Sequence, residues 1–172
     1  MSAGSGVTHS EFNHSGDDSV HFLQIWIVPA ENGTEPGYQQ VSVPEADKRG
    51  QFRLIVSPKG DAGSLTVRQD MKIYAGFFDG AEQATVNLDP NRYAYIHVAR
   101  GSIKVNGIEF RTGDGARVRQ SASKRTIHAL AGRSAGSSRP ARMRLAPVST
   151  VGSAAHGVRC SGAPEGKTGV TR

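Results

Sequence analysis

Two side chains near the start of the chain, His9 and Glu11, have the types and spacing that metal chemistry needs. Residues i and i+2 of a strand project to the same face, so one strand can aim an imidazole nitrogen and a carboxylate oxygen at one ion. That donor pair suits Fe(II), Mn, Ni, Cu or Zn, and open positions on such an ion let oxygen or a substrate enolate coordinate directly. Spacing alone leaves a plainer alternative, two polar side chains in a terminal segment. The other histidines, His14, His21, His97, His128 and His156, show no ligand spacing with one another. A lone strand histidine is more often hydrogen-bonded or exposed than coordinated. Cys160, the single cysteine, excludes an internal disulfide. It has no local base or helix terminus to activate it, so it is assigned no nucleophilic role.

The elements that must position these groups read as β-strands. Val20 to Val28 sets Leu23, Ile25 and Ile27 on one face and Phe22, Trp26 and Val28 on the other, which predicts a strand buried on both sides and ended by Pro29. Trp26 is then expected in the core rather than as a substrate platform. Further strands are expected at Gln51 to Val56, Leu65 to Gln69 and Lys72 to Phe78. The sharpest local signal is a hairpin, Ser102 to Val105 and Ile108 to Arg111 around Asn106-Gly107, preceded by a strand over Tyr93 to Ala99. Asn-Gly at this place favours a type I′ turn, because both positions accept positive φ. Gly113-Asp114-Gly115 adds a second tight turn before Ala116 to Val118. Short strands at regular intervals argue for an all-β sandwich or barrel, the class that includes cupin jelly rolls.

Length and composition set the limits. A chain of 172 residues with 37% hydrophobic content holds one ordinary domain with attachments. The longest apolar run falls far short of the roughly 20 residues a membrane helix requires. The net charge of +6 is unevenly placed: residues 1–120 carry 12 Lys or Arg against 14 Asp or Glu, and residues 121–172 carry 9 against Glu165 alone. Those last 52 residues contain no Phe, Trp or Tyr, and 24 of them are Ala, Gly or Ser, so disorder is expected with one strand surviving at Thr126 to Leu130. Their basic residues are scattered and lack aromatic partners for bases, so nucleic acid is not an expected partner.

The stretch Met1-Ser2-Ala3-Gly4-Ser5-Gly6-Val7-Thr8-His9-Ser10-Glu11-Phe12-Asn13, followed by Leu23-Gln24-Ile25-Trp26-Ile27 and Pro29, resembles the pirin family. The resemblance continues through Glu31-Asn32-Gly33, Pro36, Tyr38, Leu54 to Ser57, Gly63-Ser64-Leu65, Gln69-Asp70, Tyr74 and Val105-Asn106-Gly107, and so covers about residues 1–120. It implies an RmlC-like jelly roll of the bicupin kind, with the metal in the N-terminal barrel. In the family, two histidines of an upstream His-x-His motif and the His and Glu of a later His-x-Glu motif hold that metal; His9 and Glu11 match the second motif. No His-x-His occurs in this chain.

The resemblance thus implies three parts. Residues 1–36 form a remnant of the N-terminal barrel with half a metal site, 37–131 the C-terminal cupin barrel, and 132–172 a disordered basic tail. The chain is expected to be truncated at its N-terminus and altered at its C-terminus, with the tail read as out-of-frame sequence. The implied activity is a metal-dependent dioxygenase of the quercetin 2,3-dioxygenase type acting on a flavonol. Fe is the first expectation for the cofactor, with Ni, Mn, Cu or Zn as alternatives, and two ligands alone should bind it weakly. The rival is a non-catalytic module that binds a protein partner, as a transcriptional co-regulator would. Open barrel edges predict self-association, and the compartment expected is the cytoplasm.

Overall fold

The computed structural model describes residues 1–89, 91–118, 125–131, 141–148 and 160–161. The strands are β1 (Gln24–Ile25), β2 (Arg53–Ser57), β3 (Leu65–Thr66), β4 (Ile73–Phe78), β5 (Gln83–Leu88) and β6 (Tyr93–Arg100). After them come β7 (Ser102–Val105), β8 (Ile108–Arg111), β9 (Gly115–Val118), β10 (Arg125–Ala131), β11 (Ala141–Val148) and β12 (Cys160–Ser161). They build a six-stranded sheet in the order β3-β2-β4-β11-β6-β9 and a four-stranded sheet β5-β10-β7-β8, with β1 and β12 paired apart. This is an all-β cupin fold in which β2 with β3 is the one parallel pair among the described strands.

The two sheets close on one apolar core because their strands alternate. Along β6, Ala94, Ile96 and Val98 are buried while Tyr93, Tyr95 and His97 are less so. These three meet Phe78 of β4 from the same sheet and Leu88, Ile103, Val105, Ile127 and Ala129 from the other. Phe78 is fully buried, and its ring lies against Phe52 at 5.3 Å between centroids. A Cβ on Gly76 would stand 2.8 Å from that ring, so the glycine makes room for it. Burial of a Phe side chain of this kind contributes on the order of 2–3 kcal/mol. The β7–β8 hairpin turns through Asn106 at φ 49° and Gly107 at φ 84°, both positive as a type I′ turn demands.

Four expectations are corrected. Val20 to Val28 is not a strand buried on both sides: only Gln24–Ile25 is paired, with Leu23, Ile25 and Ile27 half-buried and Val20, Phe22, Trp26 and Val28 exposed. Trp26 is consequently 68% exposed rather than in the core; an apolar run needs a layer on each side to be buried twice, and the described residues supply one. Leu65 to Gln69 shortens to two residues, since beyond Thr66 only the Val67 N–H still reaches the Ser57 carbonyl, at 3.1 Å. The expected tail is not wholly without structure, because β11 runs antiparallel to β4 and β6 in the middle of the larger sheet. Its sequence Ala141-Arg142-Met143-Arg144-Leu145 alternates with period two, a pattern hidden by the small and basic residues around it. The rest of 132–172, β12 apart, lies outside the described residues. The strand β5 had no forecast; its Gln83, Thr85 and Asn87 face out between Ala84, Val86 and Leu88.

Candidate metal centre

His9 and Glu11 lie near each other in a stretch that belongs to no strand, so the strand geometry expected to aim both side chains at one ion is not formed. The His9 Nε2 atom lies 3.8 Å from Glu11 Oε1, and the two side chains are 42% and 54% exposed. One ion at about 2.1 Å from each donor can span that separation, so the pair fits a first-row metal as two of its ligands. Residues 1–47 hold seven Asp or Glu and no Lys or Arg, so this part of the chain carries net negative charge.

Backbone pairing ties down the residues just before this segment. Ser2 and Gly37 exchange N–H···O bonds at 2.8 and 3.0 Å, and the Ser5 N–H donates to the Thr34 carbonyl at 2.9 Å. Gly4 sits between them at φ 55°, so close to the Thr34 carbonyl oxygen that no side chain fits. The partner stretch is anchored in turn on the barrel. Ala30 N–H donates to Arg68 O at 2.8 Å, and the Gln69 side-chain amide donates to Val28 O at 2.9 Å. Gln39 grips Thr66 of β3 through both ends of its amide.

Farther along, Arg49 is ion-paired with Glu45 and Glu82. Its hydrogen bond to Glu45 is the main reason the guanidinium is held above its ordinary pKa, with the nearby Glu82 and Asp79 charges adding to it. Lys48 lies over the Phe77 ring at 4.9 Å and donates to Val43 O at 2.6 Å.

Among the described residues no group of three or more His, Cys, Asp or Glu side chains converges on one point. Among the described residues the core cluster contains no His, Cys, Asp or Glu, being built around Phe78, Ile96, Val98, Ile103 and Ile127. His128 faces outward, with its Nδ1 3.1 Å from Thr85 Oγ1 on the neighbouring strand, a structural contact across the sheet. His14 and His21 are exposed, His97 is half-buried on β6, and His156 lies outside the described residues. The supporting residues Gly4, Gln39 and Gln69 went unforeseen, because their partners lie at least 27 residues away and leave no local signal.

The sequence pattern of the quercetinase C-terminal cupin domain matches residues 54–132. Quercetin 2,3-dioxygenase of Escherichia coli K12 is 38% identical over 115 residues, which is 67% of this chain and 48% of the relative. A pirin-like protein of Caulobacter vibrioides is 32% identical over 123 residues, 71% of this chain and 53% of the relative. The chain thus spans about half the length of the curated relatives it matches. Among solved structures, the bacterial pirin YhhW from Escherichia coli in complex with nickel(II) superimposes with a TM-score of 0.60 at 28% identity, covering 73% of this chain and 49% of that one.

Proposed function

The chain belongs to the pirin family through its C-terminal cupin domain, and from that premise we propose that it serves a metal-dependent dioxygenase of the quercetin 2,3-dioxygenase type. The observation that carries the reading is the joining of this domain to a His9-x-Glu11 pair, 3.8 Å apart and open to solvent. A bound first-row ion supplies Lewis acidity and an open position for a flavonol's oxygens.

The chain's own share is narrower. His9 and Glu11 provide a neutral nitrogen and an anionic oxygen. The pairing of residues 2–5 with 34–37 tethers the chain just before them, and the 28–39 stretch is tied in turn to Arg68, Gln69 and Thr66. Such ions are ordinarily held by three or four protein ligands, so further donors come from outside the described residues. Fe is the metal proposed first, and the nickel(II) of the related pirin keeps Ni beside it. No helix among the described residues is long and apolar enough to cross a membrane; the compartment proposed is the cytoplasm.

The test is quercetin consumption by this chain with added iron or nickel, beside a chimera in which the upstream half of the Escherichia coli relative is joined to it. The chimera is expected to consume quercetin and to lose that activity on His9→Ala. Full turnover by the His9→Ala chimera would overturn the ligand assignment.

A further inference from the structure

The chain contains two Asn-Gly dipeptides, Asn32-Gly33 in the connector and Asn106-Gly107 in the β7–β8 turn. Such a pair can deamidate. The glycine backbone nitrogen, unshielded by a Cβ, loses its proton and bonds to the asparagine Cγ, and the amide nitrogen leaves as ammonia. Water then opens the cyclic imide on either side to give aspartate or isoaspartate. Water is the only co-reactant, and the attack requires the side-chain amide to swing onto the next nitrogen.

The two sites differ in that freedom. Asn106 is bracketed by β10: its Oδ1 accepts the His128 backbone N–H at 2.9 Å, and its own N–H donates to the His128 carbonyl at 3.0 Å. Its backbone is further confined at φ 49°. Asn32 is exposed, and no described residue hydrogen-bonds its side-chain amide or the Gly33 N–H. A Cβ on Gly33 would meet nothing within 4 Å, so the place is open.

We propose that Asn32 is a spontaneous deamidation site of the native protein, and that the His128 bracket protects Asn106 in the same dipeptide. The site matters because of where it lies. Ala30 is tied to Arg68, and Thr34 and Gly37 are tied to Ser5 and Ser2, so Asn32 sits between two anchorage points. Isoaspartate lengthens the backbone between them by one carbon, which displaces the register that carries His9 and Glu11. Either product adds a negative charge to residues 1–47, which hold no Lys or Arg.

Tryptic mapping of the full chain after incubation in mildly alkaline buffer tests the proposal, since cleavage puts Asn32 in peptide 1–48 and Asn106 in peptide 105–111. In the native protein Asn32 is expected to convert at least tenfold faster than Asn106, the factor that corresponds to about 1.4 kcal/mol of opening free energy for the bracket. In urea the two are expected to convert at like rates. Equal native rates, or an Asn106 that stays slow in urea, would overturn it. Asn32→Gln should abolish the mass gain in peptide 1–48; a gain that persists there assigns the change to another residue and defeats the proposal.

Discussion

Gln39 holds Thr66 twice across 27 residues of sequence, its Nε2 donating to the threonine hydroxyl and its Oε1 accepting the threonine backbone N–H at 2.9 Å. The grip joins the connector to β3 at the edge of the larger sheet. Replacing Gln39 by Ala removes both bonds from an exposed place, so a loss of about 1 kcal/mol in urea unfolding is expected. Thr66→Val keeps the backbone bond and should cost less. Equal costs for the two changes would mean that the hydroxyl bond carries the whole effect.

Gly115 pairs with His97 in the β6–β9 register and lies diagonally from Tyr95, and a Cβ there would fall on the tyrosine hydroxyl with the ring carbon Cζ 2.9 Å away. Gly115→Ala is therefore expected to destabilise by about 1–3 kcal/mol through overpacking. Tyr95→Phe in the same chain should recover part of that loss, since it removes the nearest atom. A thermal-melt double-mutant cycle reads the coupling, and strict additivity would contradict the contact.

How much of this was legible beforehand depended on whether the signal was local. The β7–β8 hairpin was legible, because Asn106-Gly107 flanked by alternating residues specifies its turn within a few positions. β6 and β10 were legible for the same reason, each carrying its apolar face in its own sequence. β11 was not, because its place between β4 and β6 is set by partners some 45 to 70 residues upstream rather than by its neighbours. Trp26 misled in the opposite sense: its apolar run states a need for burial, while burial itself requires a covering layer that a single segment does not contain. The strand expected to carry His9 and Glu11 did not form, while their nearness was legible from spacing alone. Their supports, Gly4 against Thr34 and Gln39 on Thr66, were not.

The exposed row Val20, Phe22, Trp26 and Val28 predicts self-association, since apolar side chains along one edge of a domain favour contact with another copy. Sedimentation velocity should show oligomers that dissociate on Phe22→Ser with Trp26→Ser. A clean monomer for the unaltered chain would contradict this.

Phe78→Ala tests whether the barrel is one cooperative unit. Phe78 is fully buried in the cluster that joins both sheets, and its truncation is expected to cost about 3–5 kcal/mol. Unfolding followed at Tyr fluorescence and by far-ultraviolet circular dichroism should shift together. Separate transitions would show that the sheets fold apart.

The ligand assignment of His9 and Glu11 is tested most directly by calorimetric titration of nickel(II) into the full chain and into its His9→Ala with Glu11→Gln variant. Two donors within one segment predict weak binding, with a Kd no tighter than micromolar, that disappears in the variant. Tight one-to-one binding that survives both substitutions would contradict the account.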